Sequence, residues 1–112
     1  MKQPNENGVY EADTTEELAR RGRSHAAVRL CLCHDGRYRY ALDMEYSYGG
    51  FCGPIFASGD GFATAREATD AATKELLRRF PKPWLGEPQS VHDELRELKA
   101  QIEQRFSQPT LF

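Results

Sequence analysis

Cys31, Cys33, His34 and Cys52 are residue types that zinc prefers as ligands. A one-residue gap between Cys31 and Cys33 departs from zinc spacing, and strand alternation sends His34 to the opposite side from both thiols. Reduced, metal-free strand cysteines are the expectation. Asp43 and Glu45 share one strand face, with Asp60 and Asp70 downstream, and paired carboxylates can hold Mg²⁺ for a nuclease. No lysine or histidine is placed to assist, and a solvated sheet face accounts for the same residues. Tyr38, Tyr40, Tyr46 and Tyr48, beside Arg37 and Arg39, could stack nucleic-acid bases. Tyr38 and Tyr40 fall on the face that must cover a helix, so packing is expected of them instead. No catalytic centre is read, and no cofactor is expected.

The elements that would position these residues belong to a single small domain. With 112 residues the chain can build one core and not two. Apolar residues at 39% and charged residues at 29% suit a globular domain with a solvated surface. The net charge of −2 lacks the basic excess of a domain built on phosphate contacts. No apolar run follows Met1-Lys2-Gln3-Pro4, and no stretch approaches a membrane span, so neither a secretory signal nor a membrane is expected. Three cysteines, an odd number, suit a reducing cytoplasm better than a disulfide framework.

Residues 1–12 are polar, and a disordered lead-in is expected. Asp13-Thr14-Thr15-Glu16-Glu17 looks like a capped helix start, and Arg20-Arg21-Gly22 like its cationic last turn and stop. Val28, Leu30 and Leu32 alternate along a strand; Tyr38, Tyr40, Leu42, Met44, Tyr46 and Tyr48 alternate along the next. A three-residue loop at His34-Asp35-Gly36, with Gly36 left-handed, pairs Cys33 with Arg37 and brings both apolar sets to one face. The opposite face then holds Arg29, Arg37 and Arg39, basic near the hairpin tip and a candidate surface for nucleic acid or a partner. A third strand is expected from Phe51 to Ala57, bent at Gly53-Pro54. Thr64-Ala65-Arg66-Glu67 opens a helix to about Phe80, with Ala65, Ala68, Ala72, Leu76 and Phe80 inward. The segment 81–89 is a proline-rich connector in which Trp84 and Leu85 are expected to find apolar cover. Ser90 caps a helix over 90–106 with Val91, Leu95, Leu98, Ile102 and Phe106 in a narrow seam, docked on the domain or paired with a second copy. The fold class is therefore α+β: a three-stranded antiparallel sheet in the order α-β-β-β-α over 13–80, with an additional C-terminal amphipathic helix.

That order, with Gly59-Asp60-Gly61 ahead of Ala68, Ala71, Ala72 and Lys74, resembles the double-stranded-RNA-binding domain. That family's phosphate-gripping lysines are replaced here by Thr64, Ala65, Arg66 and Glu67, so the topology is carried over and the activity is not. Gly59-Asp60 and Glu67-Ala68 are similar to the signature of the HicB-like antitoxin domain, which implies a dimeric regulator as an alternative function.

The segment 107–112 is read as a binding tail. Gln108-Pro109-Thr110-Leu111-Phe112 resembles the peptide with which bacterial replication and repair proteins bind the DNA polymerase sliding clamp. Gln108, Leu111 and Phe112 match that pattern, and Pro109 stands where leucine is usual. Adjacent apolar side chains contribute roughly 1.5–3 kcal/mol each when buried in a partner, before ordering costs. Pro109 pre-sets an extended backbone. The resemblance implies a non-enzymatic accessory protein, phage- or plasmid-encoded, acting through the clamp. As a monomer or weak homodimer it would meet DNA or a protein partner with its body.

Overall fold

A computed structural model of the chain describes residues 3–107. Its elements run β1 (Val9–Tyr10), β2 (Thr14–Arg21), β3 (Ser24–Leu32), β4 (Tyr38–Tyr46), β5 (Gly49–Cys52), β6 (Ile55–Phe56), α1 (Ala65–Arg78) and α2 (Gln89–Ser107). β2, β3, β4 and β5 form an antiparallel meander, and β1 pairs with β6 in a separate two-stranded ribbon. The α+β class stands. The main sheet has four strands rather than three, and the chain enters it through a strand rather than a helix.

The central hairpin follows from burial. Leu32, Leu30 and Val28 lie opposite Tyr38, Tyr40 and Leu42 on one face. The three-residue loop achieves this: the Cys33 N–H donates to Arg37 O at 2.8 Å, the Gly36 N–H donates to Cys33 O at 2.9 Å, and Gly36 adopts φ +79°. A tighter loop would have shifted the register by one and turned one apolar set toward water.

The helix expected from Asp13 to Gly22 is β2. Its Glu, Leu, Ala and Arg residues favour a helix locally. β3 is buried on both faces, so its second row of backbone groups needs a partner, and β2 supplies it. Gly22, read as a helix stop, adopts φ +61° and with Arg23 forms a two-residue hairpin loop between the paired Arg21 and Ser24. A bulge at Leu18 lets Leu18 and Ala19 both enter the core. The leading helix that the double-stranded-RNA-binding resemblance implies is thus a strand here.

The expected third strand is broken in two. Proline has no N–H for the ladder, and at Gly53-Pro54 the chain leaves the sheet after four residues of β5. It crosses to the outer face, where β6 pairs with β1, and Tyr10 and Ile55 pack with Cys31, Cys33 and Ala41 in a second small core. Within the expected lead-in, Val9 and Tyr10 form β1, which covers part of the sheet, and Tyr10 is buried.

Both helices cover the other face. The Thr64 hydroxyl accepts the Glu67 N–H at 3.1 Å to start α1, and Ala68, Ala72 and Leu76 are fully buried over β3 and β4. α2 begins at Gln89, one residue before the expected cap, and lies along β2 and against α1. Its Val91, Leu95, Leu98 and Ile102 are buried in the main core; the Phe106 side chain lies outside the described residues. Glu94 accepts hydrogen bonds from the Ser24 hydroxyl and from the Ser47 hydroxyl and backbone N–H, so a buried carboxylate pins α2 to the sheet. Gln101 closes the edge of β2, accepting the Arg20 N–H at 2.9 Å and donating to Arg20 O at 3.1 Å. Trp84 and Leu85 do not find cover. They are 69% and 97% exposed at a turn closed by the Glu87 N–H on Trp84 O.

Candidate functional site

β4 is nine residues long and β5 is four, so β5 pairs only with Asp43 to Tyr46. At the other end of β4, Phe62 returns to the same edge and exchanges two backbone hydrogen bonds with Tyr38, each 2.8 Å. Backbone groups alternate in direction along a strand. Tyr38 and Met44 pair outward with Phe62 and Phe51, so the N–H and C=O of Tyr40 and Leu42 point the same way. No described strand or loop pairs with them. A cleft of about 540 Å³ opens there, between the segment 53–61, which includes β6, and α1. Its ends are Phe51 and Phe62; its sides are Phe56, 55% exposed, and the Glu75–Arg79 pair of α1.

Charged groups fix the segments on both sides of the cleft. Arg39 is buried and donates to both Asp35 carboxylate oxygens at 3.0 and 2.9 Å, and to the carbonyls of Ser58 and Gly59 at 3.4 and 2.7 Å. That bidentate pairing holds the Asp35 carboxyl down at about 2 and raises the Arg39 guanidinium. Arg37 donates to Asp60 O at 3.0 Å and Gly61 O at 3.3 Å. The two arginines thus anchor the 58–61 loop as it climbs from β6 to Phe62. On the opposite side, the Tyr40 hydroxyl donates to Glu75. Burial first, and then that bond, push Tyr40 up to about 12, while the same bond lowers Glu75. Glu75 also accepts from Arg79 at 3.1 Å, and the Arg79 guanidinium lies 4.5 Å over the Phe51 ring.

The other residues singled out in the sequence are scattered. Arg29 donates to Gly53 O on the outer face, away from Arg37, and its Nε is buried without a partner. Arg29, Arg37 and Arg39 share a sheet face as the register requires, with fork donors of each on backbone carbonyls. Cys31 and Cys33 are buried beneath the β1–β6 ribbon, Cys52 is exposed on β5, and His34 stacks on Tyr10 and shares a hydrogen bond with its hydroxyl. Among the described residues no three His, Cys, Asp or Glu side chains gather as a metal set. Asp43 lies 3.7 Å from His25, while Asp60 and Asp70 stand apart from it on a loop and on α1. Tyr38, Tyr40 and Tyr46 pack half-buried on the core, and Tyr48 is exposed. Gln108, Leu111 and Phe112 lie outside the described residues.

Sequence reasoning missed the cleft. A strand of nine residues followed by a partner cut to four by Gly53-Pro54 was the available signal, since the remaining edge had no later strand to fill it. Comparison with known protein families, curated proteins and solved structures finds no match to this chain. Among the described residues, no helix is long and apolar enough to cross a membrane.

Proposed function

We propose that the protein is a non-enzymatic adaptor that binds a bacterial DNA polymerase sliding clamp through Gln108-Pro109-Thr110-Leu111-Phe112, in the cytoplasm and in the service of a phage or plasmid. The observation that carries this reading is the peptide itself: Gln108, Leu111 and Phe112 stand at the spacing of the clamp-binding pattern. The packing of α2 supports it. The helix spends its apolar seam, Val91 through Ile102, on the body's own core rather than on a second copy. A docked helix leading into a short apolar peptide is the arrangement an adaptor needs, with recognition in the peptide and a folded body to carry a second contact.

The test is a paired binding and melting experiment on the full chain and a purified bacterial clamp. Leu111→Ala combined with Phe112→Ala should abolish clamp binding and leave the thermal midpoint unchanged. If these residues instead complete the core, the double variant loses a few kcal/mol of stability. Pro109→Leu should tighten clamp binding by restoring the apolar contact that the pattern usually carries.

A further inference from the structure

We infer that the open edge of β4 between Cys52 and Phe62 is a docking slot for an extended peptide segment of a partner protein, which adds a short strand to the sheet. The chemistry of the slot selects the occupant. Tyr40 and Leu42 present two N–H donors and two C=O acceptors, alternating along one edge, within a window of about 17 Å from Tyr38 to Asp43. An extended backbone carries the complementary alternation at the same spacing. A helix has spent its own backbone groups internally, and a phosphate backbone offers no N–H donors.

Both neighbours of the gap are already strand-paired, at Cys52 to Asp43 and at Phe62 to Tyr38, so an incoming segment continues an existing ladder. Its register is fixed by the two ends. Side chains opposite Tyr40 and Leu42 would lie toward Glu75 and Arg79, and the one opposite Ala41 toward Phe56. Phe56 is a large aromatic ring more than half exposed at the slot's mouth, where an apolar side chain of the occupant would cover it. An arginine over Phe51 and a carboxylate on Tyr40 give the upper wall a fixed polar rim, which suits a polar or charged residue on that side. The Arg105–Glu16 contact places the end of α2 along β2, at the opposite edge of the sheet, which favours an occupant from another molecule. The slot is independent of the clamp reading and stands or falls separately.

The free protein supplies the first test. By amide hydrogen exchange on the full chain, Tyr40 and Leu42 should exchange much faster than Ala41 and Asp43, whose backbone groups face β3. Equal protection at Tyr40 and Ala41 would mean that the edge is already filled and overturns the proposal. The second test pans a random heptapeptide phage library against the full-length protein and synthesises the enriched peptide. Binding should slow exchange at Tyr40 and Leu42 by about tenfold or more, the effect of one net hydrogen bond. N-methylation of alternate peptide amides should weaken binding by a similar factor while methylation between them is tolerated, and Phe56→Ser should weaken it too. No enriched peptide, exchange effects confined to other residues, or indifference to N-methylation at every position would each overturn the slot. A synthetic Gln-Pro-Thr-Leu-Phe peptide run in parallel assigns the source: protection of Tyr40 and Leu42 by that peptide would make this chain the occupant and overturn the partner assignment.

Discussion

Tyr40 and Glu75 couple the sheet edge to α1, and the burial of Tyr40, with that hydrogen bond second, makes stability depend on pH. A tyrosine in an unfolded chain titrates at about 10; Tyr40 is pushed up to about 12 by burial and by Glu75. A folded value above the unfolded one stabilises fully below about pH 10 and is lost as pH climbs through about 12. Tyr40→Phe should remove that part of the alkaline decline, so urea midpoints at pH 8 and pH 11.5 should converge more closely in the variant than in the parent. Asp35 gives the opposite sign. Arg39 holds it at about 2, below the ordinary carboxylate value of about 3.9, so its contribution is present above about pH 4 and lost as pH falls toward 2. Asp35→Asn should lose less between pH 5 and pH 2.5 than the parent does, measured by the same midpoints. A parallel acid decline in both proteins would remove Asp35 from the account.

Among the elements, β2 and α2 show how far local preference can be overruled. Glu16-Glu17-Leu18-Ala19-Arg20-Arg21 would suit a helix, and yet β3 needs a strand beside it. The resulting edge is then blunted by Gln101, and by ion pairs from Arg21 to Glu97 and from Arg105 to Glu16. The seam of α2 carries the more testable energy. Leu98 is fully buried against the body, so Leu98→Ala should cost about 2–5 kcal/mol in a denaturant melt without changing the molecular mass in solution. A variant that lost mass rather than stability would show that the seam serves a second copy. The hairpin has its own sensitive point at Gly36, whose φ of +79° makes Gly36→Ala cost about 1–2 kcal/mol.

At the scale of the whole molecule, the large apolar side chains left in water among the described residues are Tyr48, Phe56, Trp84 and Leu85. Phe56 stands at the β4 slot, and Trp84 and Leu85 stand on the connector between the helices. Leu85→Ser should therefore stay within about 0.5 kcal/mol of the parent in a thermal melt. With the α2 seam spent internally, a monomer or weak homodimer is the expected state at micromolar concentration, and sedimentation reads it directly. A tight dimer would instead favour the antitoxin-like alternative, in which symmetric pairing presents two copies of a binding face.

The sequence by itself determined the β3–β4 hairpin and its register, because Val28, Leu30 and Leu32 had to share a face with Tyr38, Tyr40 and Leu42, which the three-residue loop at His34-Asp35-Gly36 allows and a two-residue turn does not. It likewise determined α1, whose cap at Thr64 and alanine-rich inner face are local chemistry, and the apolar seam of α2, although the choice between the body and a second copy as its partner was left to the tertiary structure. It also carries the Gln108, Leu111 and Phe112 pattern on which the proposed function rests. What only the tertiary structure decided was non-local. Residues 14–21 became a strand because β3 needed a partner on its free edge, a demand invisible within that segment. Tyr10 and Ile55 met over Cys31 because Pro54 ended β5 and sent the chain to the other face. The slot at Tyr40 and Leu42 arose from the same break: a strand's empty edge is defined by what fails to pair with it, and no stretch of sequence records that on its own.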